Sequence, residues 1–394
     1  MSTSRPTKTR SSSDGETSVA DIDHEITSEK AEIERRQQIV YDLFQKRNSM
    51  QSVSRLPTYL LSCIFHMLQA EYLTNCHESD ILPAFSKWLA ITYVCRLWCR
   101  TAFQSPLLWS RIYIFRDQPS ILAEQFLIRV QSAPITLIYT ERESVWHKPA
   151  AEQATLYQRR AWEALEKTLK SPNAISSASI VFSSKEHFAD TVTWLAPKIQ
   201  HIEELTITIV PSGDYSVLPP VFQNNRAPNL RTLALRNCAL SINSLFISSA
   251  SETLTTLRLS TTTPLYSVET IVDVLRGMPL LQSLDLSGCL TASHEPTHYT
   301  GSHVAVVLKT LRHIQISSPY PSNLRNWDMI ECPLATSVEV YTPPGPNASA
   351  PSVPAPAEEK LLACILRVLE RLRKHSHEFG PAIACSSNTE SYSI

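Results

Sequence analysis

The sequence predicts a helical N-terminal region followed by an array of α/β repeats, so that the chain is α+β as a whole and α/β within each repeat. Three observations carry that expectation. Apolar residues recur at helical spacing, i, i+3 and i+4, within Ser28–Asn48 and Ser54–Tyr113. A strand-type pattern, L-x-x-L-x-L, then returns at a nearly fixed interval from Ile175 to Val340. The 394 residues, 43% hydrophobic and 19% charged, are enough for two or three cores.

Residues 1–27 are mostly Ser, Thr and charge and bury too little to offset ordering entropy, so a disordered tail is expected. Residues 28–50 read as a charged helix. Ile33, Val40 and Arg47 lie seven apart, with Ile26 before them and Leu43 and Phe44 beside them. The stripe could serve a short coiled coil. Fewer than three clean heptads favours a helix that precedes the next domain or packs on it.

Residues 51–116 are the most apolar part of the chain. Trp88, Trp98 and Trp109 fall within 22 residues. Pro57 suits the first turn of a helix, where its missing N–H has no intrahelical partner. Leu60, Leu61, Ile64, Phe65 and Leu68 predict that helix; Leu89, Val94, Cys95, Trp98 and Ala102 predict a second. Ser105-Pro106 ends it, and Leu107, Leu108, Trp109 and Ile112 close the segment. Four pieces thus stand in order: Leu56-Pro57, Leu60-Leu61-Ser62-Cys63-Ile64-Phe65, Val94-Cys95-Arg96-Leu97-Trp98 and Ser105-Pro106-Leu107-Leu108-Trp109. The arrangement resembles the F-box, and the charged helix before it is similar to those of mushroom-type fungal F-box proteins. Two departures stand out. Tyr59 replaces a frequently acidic residue, and the stretch from Gln69 to Lys87 is longer than usual, which predicts a surface loop.

Residues 117–172 predict a helical linker region with a short strand: a helix over Ser120–Val130, a strand at Ile135, Leu137 and Tyr139, and a helix over Glu152–Lys170. The array occupies 173–341. Leu230, Leu233, Leu235, Cys238 and Leu240 match L-x-x-L-x-L-x-x-[NC]-x-L in full, and Leu281, Leu284, Leu286 and Cys289 match it up to the last position. Weaker copies start at Ile175, Ile202, Leu254, Leu311 and Ala335, and successive starts lie 27, 28, 24, 27, 30 and 24 residues apart. Length and signature resemble degenerate leucine-rich repeats, which implies an irregular solenoid; a plain α/β region with strands at this pitch is the alternative. Within a repeat, L-x-L puts two side chains on one strand face. Ser267 and Gly277 suit the two ends of an intervening helix. After the array come a Pro-rich linker at 342–357, an amphipathic helix at 358–375 expected to cover the open end, and a flexible C-terminus at 376–394.

Composition narrows the chemistry. Lys and Arg number 36 against 37 Asp and Glu, which leaves no basic footprint for nucleic acid. Seven glycines include no GxGxxG or GxxxxGK[ST] loop, so no nucleotide cofactor is expected. Nine scattered cysteines suit a reducing compartment. MSTSRPTKTR has no apolar core, and no apolar run reaches membrane-spanning length, so an intracellular protein without membrane contact is expected. His294-Glu295-Pro296-Thr297-His298 reads H-E-x-x-H, with His303 beyond it. Pro296 inside the motif, Gly301 soon after and a misplaced third ligand argue for an exposed loop over a zinc-dependent hydrolase.

The F-box resemblance implies a non-catalytic, substrate-recruiting subunit of a Skp/cullin/F-box-type ubiquitin ligase. By motif position, Leu56, Pro57, Leu60, Leu61, Ile64, Phe65, Val94, Cys95, Trp98, Leu107, Leu108 and Trp109 would bind a Skp-type adaptor or form the F-box core. The adaptor would link the chain to a cullin, and the repeats would hold an unknown target protein. A non-ligase F-box repeat scaffold is the alternative.

Overall fold

The computed structural model describes residues 18–74, 81–115, 121–141, 151–210, 216–260, 266–291, 306–317, 330–332 and 337–341. The chain divides between Ser105 and Pro106 into two compact units. The histidines of the H-E-x-x-H segment, the Pro-rich stretch and the helix expected after it lie outside the described residues.

The first unit is helical: α1 Val19–Ser49, α2 Thr58–Thr74, α3 Ile81–Leu89, α4 Ile91–Val94 and α5 Arg96–Phe103. Helix α1 begins well before the expected Ser28. The Ser18 side chain accepts from the Asp21 N–H, and the Asp21 carboxylate accepts from the Ser18 N–H, a reciprocal cap that starts the helix inside the expected tail. None of its 31 residues is buried. Arg96 donates to the Gln45 side-chain amide oxygen, 2.8 Å, near the C-terminal end of α1.

The expected loop over Gln69–Lys87 is largely helical. Helix α2 runs on to Thr74, and Ile81, Ala84, Phe85 and Trp88 form a buried stripe along α3. That spacing is i, i+3, i+4, i+7, and Pro83 is tolerated in the first turn. The expected second helix is instead broken at Cys95, whose extended backbone (φ −163°) separates α4 from α5. Phe65 of α2 meets Trp98 of α5 with ring centroids 5.2 Å apart, and the Ser62 and Ser105 hydroxyls are 2.8 Å apart.

The second unit is built on parallel strands. Its main strands are β1 Arg111–Phe115, β2 Ile135–Thr140, β3 Ile175–Phe182, β4 Glu204–Ile209, β6 Thr232–Arg236, β8 Thr256–Ser260, β9 Ser283–Ser287, β11 His313–Ser317 and β13 Ser337–Tyr341. Among the described residues these nine form one sheet whose spatial order is their order in the chain. Short strands β5 Ser216–Val217, β7 Cys238–Ala239, β10 Val306–Val307 and β12 Ile330–Glu331 make two small parallel pairs, β5 with β7 and β10 with β12.

Apart from a one-residue shift between β2 and β3 at Ile135/Thr136, the register is continuous. One ladder runs Ile112, Leu137, Ala178, Leu205, Leu233, Leu257, Leu284, Ile314, Val338, and a second, two residues on, runs Ile114, Tyr139, Ile180, Ile207, Leu235, Leu259, Leu286, Ile316, Val340. Both are buried through β11. Every expected repeat strand from Ile175 onward is present. The sheet starts earlier than expected, however: β1 occupies the expected end of the F-box segment, and β2 the expected linker. Trp109, Ile112 and Ile114 have the repeat's own spacing, and Trp109, like Leu230 and Leu281, is buried.

Helical returns cover the ladders: α6 Ile121–Arg129, α7 Ala151–Lys170, α8 Lys185–Leu195, α9 Pro220–Gln223, α10 Leu245–Ala250 and α11 Val268–Leu275. Ser184, Ser244 and Ser267 cap α8, α10 and α11 through their hydroxyls. Phe246, Ile247 and Ala250 of α10 and Val268, Ile271, Val272 and Leu275 of α11 face the core. At the strand ends the chain turns through left-handed backbone at Asn237 (φ 57°) and Gly288 (φ 64°), each followed by a buried cysteine, Cys238 and Cys289. The Asn237 side chain donates to the Ile209 carbonyl, 2.7 Å, and thereby ties one unit to the one before.

One polar knot, buried at Glu141 and open at Ser183, joins the end of β2 to the start of α8. The Glu141 carboxylate, 2% exposed, accepts from the Tyr139 hydroxyl (2.8 Å), the Ser183 N–H and hydroxyl (2.7 and 3.0 Å) and the Ser184 N–H (3.0 Å). His187 Nδ1 lies 2.5 Å from its other side, and the imidazole stacks on Trp162 at 4.1 Å.

Candidate functional site

The twelve residues singled out from the sequence separate into three sets. Leu61 and Phe65 are interior residues of the helical unit, and Leu56, Cys95 and Trp98 are half-buried. Pro57, Leu60, Ile64 and Val94 are exposed. Leu107, Leu108 and Trp109 belong to the second unit. There Leu108 and Trp109 are buried, Leu107 is exposed, and the Trp109 ring packs edge-on against Phe126 at 5.1 Å with the Arg129 guanidinium 4.8 Å above it.

Helix α2 explains the first two sets. Its apolar residues form two stripes. Leu61, Phe65 and Leu73 line the covered side, with Gln69 between them. Leu60, Cys63, Ile64 and Met67, at i, i+3, i+4 and i+7, line the other. That second stripe is open: Leu60, Ile64 and Met67 are 37%, 44% and 73% exposed. Tyr59 is exposed on the same helix, as are Tyr93 and Val94 in α4. A helix apolar on all sides is ordinarily buried on all sides. Here the described chain covers half of it. Met67 and Cys63 were not anticipated, although their i+3 and i+7 spacing from Leu60 was the signal that could have found them.

The second surface is the other side of the sheet, whose described residues are half-buried to exposed. Between the two buried ladders lie Tyr113, Ile138, Ser179, Thr206, Ala234, Arg258, Asp285 and Gln315, and the flanking rows add Ser177, Thr232, Thr256, Ser260, Ser283 and Ser287. Small hydroxyl side chains dominate. Glu204, Arg236 and Arg258 stand out as exposed charges, Glu204 between Ser177 and Thr232, Arg236 opposite Ser260 and Arg258 opposite Ala234.

Burial pushes the Cys238 and Cys289 thiols up to about 12, so neither is a nucleophile near neutral pH. Among the described residues there is no group of three His, Cys, Asp or Glu placed to hold a metal ion. His294, His298 and His303 lie outside the described residues. Nor is any described helix long and apolar enough to cross a membrane. Compared with known proteins, the chain matches no family model and no curated sequence.

Proposed function

We propose that this chain is the substrate-recruiting subunit of a Skp/cullin/F-box-type ubiquitin ligase, whose F-box docks a Skp-type adaptor and whose irregular leucine-rich-repeat-like solenoid holds the target protein. The observation that carries the reading is helix α2, apolar on both sides and covered on one. The open stripe of Leu60, Ile64 and Met67 falls within the F-box-like motif and suits an apolar partner surface. The sheet supports the second half of the proposal. Strands that follow one another in chain order, with two aliphatic ladders in strict register, agree with stacked repeats that each bury their face on the next. The other side, half-buried to exposed among the described residues and rich in small hydroxyl side chains, suits a target.

In this role the chain performs no bond chemistry. It raises the effective concentration of a target lysine beside the ubiquitin-charged enzyme. The test is co-purification of the full chain with a Skp-type adaptor and a cullin. Ile64→Asp should abolish adaptor capture while the protein keeps its fold, and the Leu56/Pro57 double alanine variant should weaken it. Capture that survives both substitutions in folded protein refutes the docking assignment. Capture of adaptor without cullin favours a non-ligase scaffold.

A further inference from the structure

Helix α1 is long, capped and uncovered. Starting at Val19 rather than Ser28, it extends the heptad stripe by a full repeat: Val19, Ile26, Ile33 and Val40 lie seven apart, with Ile22 and Leu43 three residues beyond the first and last. All six are exposed. Isolated helices of moderate length are marginal in water, and such a seam ordinarily has a facing helix.

We propose that α1 pairs with α1 of a second copy, in antiparallel orientation. The charges on the seam choose that orientation. Two polar residues, Glu29 and Arg36, occupy the same heptad position as Ile22 and Leu43. A parallel in-register pair would set Glu29 against Glu29 and Arg36 against Arg36, and like charges facing each other in a seam are costly. Antiparallel pairing instead matches Val19 with Leu43 and Ile22 with Val40 of the second copy, Ile26 with Arg36 and Glu29 with Ile33. Glu29 then lies one layer from the second copy's Arg36, and the two-fold axis repeats the contact. The Arg36 guanidinium is suited to it: its Nε donates to Glu32 of its own helix at 2.6 Å, and the fork geometry leaves terminal NH2 groups for a second carboxylate. Glu32, beside the two-fold axis, already accepts from both Arg35 and Arg36. The shared seam runs from Val19 to Leu43, about 36 Å of helix at ~1.5 Å per residue.

Sedimentation equilibrium of the full chain tests this. The wild-type protein should pass from monomer to dimer below about 100 μM, a modest affinity for so mixed a seam. Ile33→Asp, which sets a carboxylate against Glu29 of the second copy, should leave a monomer. Glu29→Arg should weaken the dimer by about tenfold or more, since the introduced guanidinium then meets Arg36 of the second copy. The double variant Glu29→Arg/Arg36→Glu should restore it, because the exchanged pair again meets opposite charges across the two-fold. Parallel helices would show neither effect, as each layer would still oppose like charges. A monomeric wild type, a dimer that survives Ile33→Asp, or a Glu29→Arg loss without rescue overturns the proposal. Far-UV circular dichroism separates lost pairing from a lost helix.

Discussion

Replacing Glu141 with alanine should measurably destabilise the sheet unit. Its carboxylate takes four hydrogen bonds from Tyr139, Ser183 and Ser184 and lies 2.5 Å from the His187 ring nitrogen. Two of the donors are main-chain N–H groups where α8 begins. A fully buried donor left without a partner costs about 1–3 kcal/mol; Ser183 is exposed and Ser184 half-buried, so water can reach both N–H groups and together they account for ~1–3 kcal/mol. That is a measurable fraction of a domain's typical stability of about 5–15 kcal/mol. Glu141→Gln keeps one oxygen for the Ser183 and Ser184 donors and gives up the charge. Charge-assisted bonds exceed neutral ones by roughly 1 kcal/mol each when buried, and less where water reaches them, so a loss of about 1 kcal/mol, smaller than that of the alanine variant, is expected. The assay is urea unfolding followed by tryptophan fluorescence. Trp162, stacked on His187, and Trp194, 5.1 Å from Trp162, lie beside the perturbation. A Glu141→Ala cost below about 1 kcal/mol, or a glutamine variant as unstable as the alanine one, refutes the view that the carboxylate organises this corner.

Four further outcomes are expected. Phe65→Ala should cost about 3–5 kcal/mol of stability, whereas Ile64→Ala, next to it on the open stripe, should cost under ~1 kcal/mol; denaturant titration of both variants checks the contrast. Trp109→Ala should lower the stability of the sheet unit by about 3–5 kcal/mol, read from the same titration, because the ring fills the first buried position of the first strand unit. Asn237→Ala should cost about 1–3 kcal/mol, from the lost bond to the Ile209 carbonyl and a left-handed backbone alanine disfavours; thermal unfolding would show it. Cys238 and Cys289, held at about 12 by burial against an ordinary 9.0, stay neutral in the folded chain where the unfolded chain ionises. Their contribution to stability is therefore complete below about pH 9 and is lost as pH rises towards about 12, by up to ~1.4 kcal/mol per pH unit for each thiol. Cysteine labelling of native protein at mild alkaline pH should reach Cys63 and spare these two.

The strands from Ile175 onward were legible because L-x-L needs only a period of two and a fixed return. The same rule would have found β1, but Trp109 also completes a helical-motif signature, and the longer motif claimed it. Helix α3 was hidden for a different reason. Measured against a motif of known length, Gln69–Lys87 looked like excess, although Ile81, Phe85 and Trp88 repeat at helical spacing. On α2 the apolar residues were visible, but a list containing Leu60, Leu61, Ile64 and Phe65 merges two faces that only neighbouring helices separate. The Glu141 knot was not legible at all. Its partners Ser183, Ser184 and His187 lie more than forty positions away, and no local pattern links a carboxylate to donors at that range.

The order of the strands has one more consequence. Each lies beside its predecessor in the chain, so the sheet can change length without rethreading. Excision of one unit, from Leu254 up to Leu281, 27 residues, would bring Leu284 and Leu286 beside Leu233 and Leu235 in place of Leu257 and Leu259, leucine for leucine. Duplication of the same segment would insert a strand on equal terms. Such a surface can diversify by copying and deletion as well as by point change, at a cost confined to one pair of seams. Helix α2 has no such freedom: Leu61, Phe65 and Leu73 are fixed on its covered face, and a residue added or removed would rotate its open face with it.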